Sequence, residues 1–132
     1  MSYSIGNESF SRGVHTTSFS SNISRTATTA AYLFTLPAKP VIKSVTIIGA
    51  KADTNGIATL SLGSNGGTGK ELLADFNVKT NGEVSYPSSF AVTPASAWDT
   101  NPIQVVGTFA ENGGGSSAGG PWTVIVEVLG TQ

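Results

Sequence analysis

Only one histidine, His15, is available for acid–base chemistry near neutral pH. A catalytic triad would need a nucleophilic serine beside it and a carboxylate that orients the imidazole. Serines are numerous, but none is predicted at a strand-to-helix turn, which is the context that exposes a nucleophilic hydroxyl. We therefore interpret His15 as a surface histidine and expect no hydrolase of this type.

The carboxylates show no spacing that would bring two of them together for glycoside hydrolysis. Most are predicted in turns or on the solvent face of strands. The segment from Asp53 to Gly56 resembles the start of a calcium loop, but the later oxygen ligands are missing. We expect no catalytic residues, no metal and no cofactor. The acids considered are Glu8, Asp53, Glu71, Asp75, Glu83, Asp99, Glu111 and Glu127.

The glycine-rich stretch GSNGGTGKE, residues 63–71, resembles a phosphate-binding loop but departs from its pattern in three ways. Ser64 stands where the first glycine is required, and Glu71 stands where a hydroxyl should bind magnesium. No helix is predicted to follow, so no helix N-terminus is available for a phosphate. We interpret the stretch as a mobile connection that binds no nucleotide.

Two tryptophans have different predicted roles. Trp98 lies in an irregular segment with Asp99 and Asn101, and an exposed aromatic ring beside carboxylate and amide groups can hold a sugar. Trp122 instead begins an alternating apolar strand and is predicted to lie in the core. Trp98, Asp99 and Asn101 are therefore the candidate ligand contacts.

The composition restricts the class of protein that these residues belong to. The 132 residues fit one domain, and only 11% of them are charged, against about 25% in typical globular proteins. The net charge of −1 and the scattered Lys and Arg residues argue against a nucleic-acid partner. The chain has no cysteine, no secretory signal pattern and no apolar run of membrane-spanning length, so we expect assembly in a cytoplasm and no membrane partner.

The elements that must position these residues are predicted to be short β-strands. The segments Val41–Ala50 and Ile57–Leu62 are predicted to form a hairpin around Asn55-Gly56, a pair that favours a type I′ turn. Alternation also predicts a final strand over Trp122–Leu129. Seven or eight strands at roughly even spacing predict an all-β fold, a single antiparallel β-sandwich with jelly-roll topology preferred.

The first 29 residues are rich in Ser and Thr and are predicted to form an extended N-terminal arm, with the β-sandwich domain over residues 30–132. Four spaced apolar residues of this arm, Phe10, Val14, Phe19 and Ile23, are the predicted partner contacts. Ordering so long an arm requires burial or strand pairing. The alternative is that Val14–Ser20 supplies the first strand of the chain's own sandwich.

Three stretches resemble small β-sandwich, jelly-roll virion proteins of tailed bacteriophages, of the capsid decoration or cement type. They are residues Ile23–Ala38, Val45–Leu73 and Gly120–Gly130. The resemblance implies a non-enzymatic homotrimer on a phage head, with the major capsid protein or another virion protein as partner. It implies a virion location after assembly in the host cytoplasm. The alternative function is a carbohydrate- or host-receptor-binding module of a phage tail or fibre.

Overall fold

The computed structural model describes residues 16–94, 101–112 and 119–129. These residues form strands and loops, and they contain no helix long and apolar enough to cross a membrane. The strands of this part of the chain are β1 Thr16–Ile23, β2 Ala31–Leu36, β3 Ile42–Gly49, β4 Ala58–Ser64, β5 Leu73–Asn77, β6 Glu83–Ser85, β7 Ile103–Glu111 and β8 Trp122–Leu129.

The strands form two four-stranded antiparallel sheets, with the orders β1-β8-β3-β6 and β2-β7-β4-β5. We call them the first and second sheets. The pairing is nested, because β1 pairs with β8, β2 with β7, β3 with β6, and β4 with β5. This strand order is that of an eight-stranded jelly roll. The predicted all-β sandwich is confirmed.

The core lies between the sheets and is filled by alternate residues of each strand, as a sandwich requires. In β8 the inward side chains are those predicted: Trp122, Val124, Val126 and Val128 are at most 1% exposed. The Trp122 ring stacks on Phe109 with centroids 5.1 Å apart. Its indole N–H donates to the backbone oxygen of Ala50 at 3.0 Å, so the polar atom of this buried ring is satisfied.

A β-bulge in β3 changes which of its residues face the core. Alternation alone predicts Ile42 on the face opposite to Val45 and Ile47. The register against β8 shifts between Ile42 and Ser44, and all three apolar side chains are buried. Ile48 lies on the face opposite to Val45 and Ile47, as alternation predicts, and 37% of its surface is exposed.

The predicted hairpin around Asn55-Gly56 is wrong, because the strands on either side of it belong to different sheets. Neither residue has the positive φ of a type I′ turn. The segment crosses between the sheets and is held by Asn112, whose side-chain oxygen accepts from the Ile57 N–H at 3.1 Å. A Cβ at Gly56 would collide with Asn112, so glycine at this position allows the two segments to approach closely.

The N-terminal arm predicted over residues 1–29 is replaced from Thr16 onward by β1, which pairs with all of β8 without a register shift. The boundary at residue 30 therefore falls inside the sandwich. The physical reason is backbone pairing, because β8 is hydrogen-bonded to β1 on one side and to β3 on the other. The alternative first strand, Val14–Ser20, overlaps β1 over residues 16–20.

Candidate functional site: surfaces open to a partner

In the part of the chain that the structure describes, no three His, Cys, Asp or Glu side chains converge into a group that could hold a metal ion. Several carboxylates there have structural partners. Glu111 accepts from the Arg25 guanidinium at 2.8 Å, and that guanidinium also lies 5.4 Å from the centroid of the Phe109 ring. Glu127 accepts from the Ser44 hydroxyl at 2.7 Å across β8 and β3. These carboxylates therefore stabilise contacts between strands and loops.

The glycine-rich loop closes around the carboxylate of Glu71. The Glu71 oxygens accept from the Ser64 N–H at 3.0 Å, the Ser64 hydroxyl at 2.8 Å, the Thr68 N–H at 3.0 Å and the Gly69 N–H at 3.1 Å. Converging backbone N–H groups of this kind form a nest that binds an anion. The chain fills the nest with its own side chain, which explains why the sequence resembles a phosphate loop without completing its pattern.

The nest lowers the pKa of the Glu71 carboxyl. Burial by itself would raise this pKa, but hydrogen bonds from the Ser64 N–H and hydroxyl, then from the Glu71 and Thr68 N–H groups, lower it from 4.5 to about 2. Glu71 is therefore ionised throughout the neutral range and is not poised to donate a proton. Its role is to hold the loop in place.

The edge strand β5 is distorted by a bulge, and the buried Ser61 stabilises it. The β4–β5 register shifts between Leu60 and Leu62, and Asp75 adopts a φ of 52°. The N–H of Asp75 donates to the Ser61 hydroxyl at 3.0 Å, which gives this group a partner inside the bulge. Alternation predicts Ser61 outward, but it is only 4% exposed.

The predicted partner contacts fall into two pairs. Phe10 and Val14 lie outside the described residues. Phe19 and Ile23 lie in β1 and face the chain's own core. Ile23 has no exposed surface, and the Phe19 ring lies 5.9 Å from the Phe34 ring of the second sheet. The Ile23 side chain is thus enclosed by its own domain in this structure, and contact with a partner through the four residues stays a prediction.

The predicted ligand contacts are not assembled into a site in the described part of the chain. Trp98 and Asp99 lie outside it. Asn101 is exposed just before β7. The possibility of a sugar site at Trp98, Asp99 and Asn101 stays a prediction.

An outward-facing group of apolar side chains, which the sequence did not single out, lies on the first sheet. Ile48 and Val84 are directly opposite each other in β3 and β6, and Val84 is 50% exposed. Tyr86 follows Val84 by two residues and is 74% exposed. We call Ile48, Val84 and Tyr86 the apolar patch. Alternation about Ser85 could have indicated it, but Pro87 obscures the strand pattern.

Comparison with known proteins shows a similarity of fold. No family model matches the chain, and no curated protein matches it. Among solved structures, a chain of the cyanophage Pam1 capsid asymmetric unit is similar in fold, with a TM-score of 0.64 and 19% sequence identity. The similarity covers 89% of this chain and 86% of that chain. The chain thus shares the fold of that capsid chain over most of its length.

Proposed function

We propose that this chain is a non-enzymatic structural protein of a bacteriophage particle, and that it decorates the capsid as a homotrimer. The partner is the major capsid protein or another virion protein, and the protein resides in the virion after assembly in the host cytoplasm. It requires no cofactor, nucleic acid or membrane.

The observation that carries this proposal is the fold similarity to a chain of a phage capsid asymmetric unit. The similarity covers 89% of this chain and 86% of that chain, so the matched sandwich makes up most of both. The three stretches that resemble phage virion proteins include β2, most of β3, β4 and β8. These strands contribute to both sheets.

The composition supports a protein that works by contact with other proteins. Neutral polar surface costs less to desolvate than charged surface, and only 11% of the residues are charged. A net charge of −1 gives little long-range repulsion between copies packed on one shell.

The apolar patch supports self-association through one face of the sandwich. Exposed apolar residues that adjoin one another mark interaction surfaces more often than single ones do. We propose that Ile48, Val84 and Tyr86 form the contact around the three-fold axis. Attachment to the shell is assigned to the residues before β1, which include Phe10 and Val14.

Quantitative mass spectrometry of purified particles tests the proposal. A copy number comparable to that of the shell-forming protein is expected for a decoration protein. A copy number far below it would indicate a tail or fibre position, and would favour the receptor-binding alternative. Absence of the chain from purified particles would overturn the virion assignment itself.

A further inference from the structure

The four edge strands of the two sheets differ in how they discourage pairing with another strand. An open edge offers a row of backbone donors and acceptors, and natural proteins block it with short strands, charges, prolines or bulges. The strand β6 has three residues, begins with Glu83 at a φ of 60°, and is followed closely by Pro87.

Both edges of the second sheet are also interrupted. The strand β2 contains a bulge between Tyr32 and Phe34 and is followed by Pro37. The strand β5 contains the bulge at Asp75, whose carboxylate pairs with the Lys70 ammonium at 3.0 Å. Either feature would place a kink or a charge against an incoming strand.

The strand β1 has none of these features. Its sequence TTSFSSNI contains no charge, proline or glycine, and its eight residues pair with β8 in one unbroken register. Among the described residues, β8 is its only strand partner within the sheet. Its outward side chains are small and polar: Thr16, Ser18, Ser20 and Asn22.

We propose that β1 pairs with β1 of a second copy of this chain, antiparallel about a two-fold axis, so that two first sheets join into one eight-stranded sheet. An isologous contact places the residues near its axis against their own copies, so a charge in the middle of the strand would lie close to its own like charge. An uncharged β1 avoids that repulsion, and the net charge of −1 does not oppose the approach of two copies.

The pairing is compatible with the proposed three-fold contact and does not depend on it. The apolar patch lies on β3 and β6, whereas β1 is the opposite edge of the same sheet. A copy can therefore use both surfaces at once. If the chain forms trimers, the β1 contact links two trimers. If it does not, the contact forms a dimer.

The first test is the mass of the purified protein in sedimentation velocity, with wild type compared to Ser20→Lys. Ser20 is exposed in the middle of β1, and lysine on an edge strand opposes strand addition. We expect the dissociation constant of the two-fold contact to rise by about tenfold or more, so that the mass of the assembly halves at moderate concentration. Ala74→Lys is the matched control, since it adds the same charge to an exposed position of β5.

The second test uses the absence of cysteine from the chain. Single variants Ser18→Cys, Ser20→Cys and Asn22→Cys are oxidised separately. A two-fold β1 contact predicts a covalent dimer at the position nearest the axis and little at the others, because a disulfide requires close Cα atoms. Equal masses for wild type and Ser20→Lys, with no selective crosslink, overturn the proposal. The same negative result is expected if residues 1–15 of the same chain, or a shell protein alone, pair with the edge of β1.

Discussion

At the scale of single residues, Glu71 shows how a carboxylate can take a structural role inside a loop that resembles a ligand site. Adding a Cβ at Gly63 or Gly67 would crowd the Glu71 carboxylate. The absence of a side chain at these two glycines therefore allows the Glu71 carboxylate to lie against the loop backbone. The sequence shows glycines, a serine and a glutamate in one stretch, but it does not reveal that the glutamate side chain folds back onto the loop.

We expect Glu71→Gln to destabilise the fold by about 1.5–3 kcal/mol near neutral pH, the typical contribution of hydrogen bonds to a charged group. The folded-state pKa of Glu71 is depressed to about 2, so its contribution is complete above the unfolded value of 4.5 and is lost as pH falls towards 2. The difference between wild type and variant should therefore shrink across that interval.

Denaturant unfolding of both proteins at neutral pH and at several acidic values measures this difference. Glu83→Gln removes the same charge from an exposed position and should change stability little. A Glu71→Gln effect that stays constant down to the lowest pH would contradict the role of the ionised carboxylate.

At the scale of elements, the sequence predicted strands better than it predicted their partners. β8 was predicted with its bounds and inward face, because alternation from Trp122 to Leu129 is uninterrupted. The pair Asn55-Gly56 was misread, because local turn chemistry does not reveal whether a segment turns a hairpin or crosses between sheets. The bulge that turns Ile42 inward depends on its pairing with β8, which is distant in the sequence.

Two deletions separate the role of β1 from that of the residues before it. Deleting residues 2–22 removes nearly all of β1, including Phe19, whose burial contributes about 1.5–3 kcal/mol if complete. Domains of this kind are stable by about 5–15 kcal/mol, so loss of a whole strand is expected to unfold most of the protein. Deleting residues 2–15 leaves β1 intact and should preserve the fold.

Circular dichroism and thermal unfolding follow the state of both truncated proteins, and a particle-binding assay follows attachment. A folded 2–15 deletion that no longer binds particles would support attachment through Phe10, Val14 and their neighbours. Unchanged melting of the 2–22 deletion would contradict the place of β1 in the sandwich.

At the scale of the whole molecule, the exposed apolar patch is the surface proposed for self-association. Val84→Lys places a charge beside Ile48, where the proposed three-fold contact would exclude water. We expect this variant to remain folded, since Val84 is half exposed, and to lose the trimer. Light scattering of the purified variant measures the change.

Tyr32→Lys serves as the matched control, because Tyr32 is 59% exposed on the second sheet, away from the apolar patch. Its assembly mass should equal that of wild type. A Val84→Lys protein with the wild-type mass would place the three-fold contact elsewhere. The sequence could indicate self-association through low charge, but it could not identify the face, which depends on how β3 and β6 pair.

The nested strand order determines when the protein can fold during its synthesis. The two strands made last, β7 and β8, are central in their sheets, with β7 between β2 and β4 and β8 between β1 and β3. As the chain leaves the ribosome, β1 and β2 have no sheet neighbour until residues 103–129 have also emerged. Most contacts are therefore long-range, which slows folding and leaves apolar strands such as β2 exposed meanwhile. The first sheet consequently cannot form before β8 is available, and a ribosome that stalls before Trp122 would release a chain whose first sheet lacks this central strand.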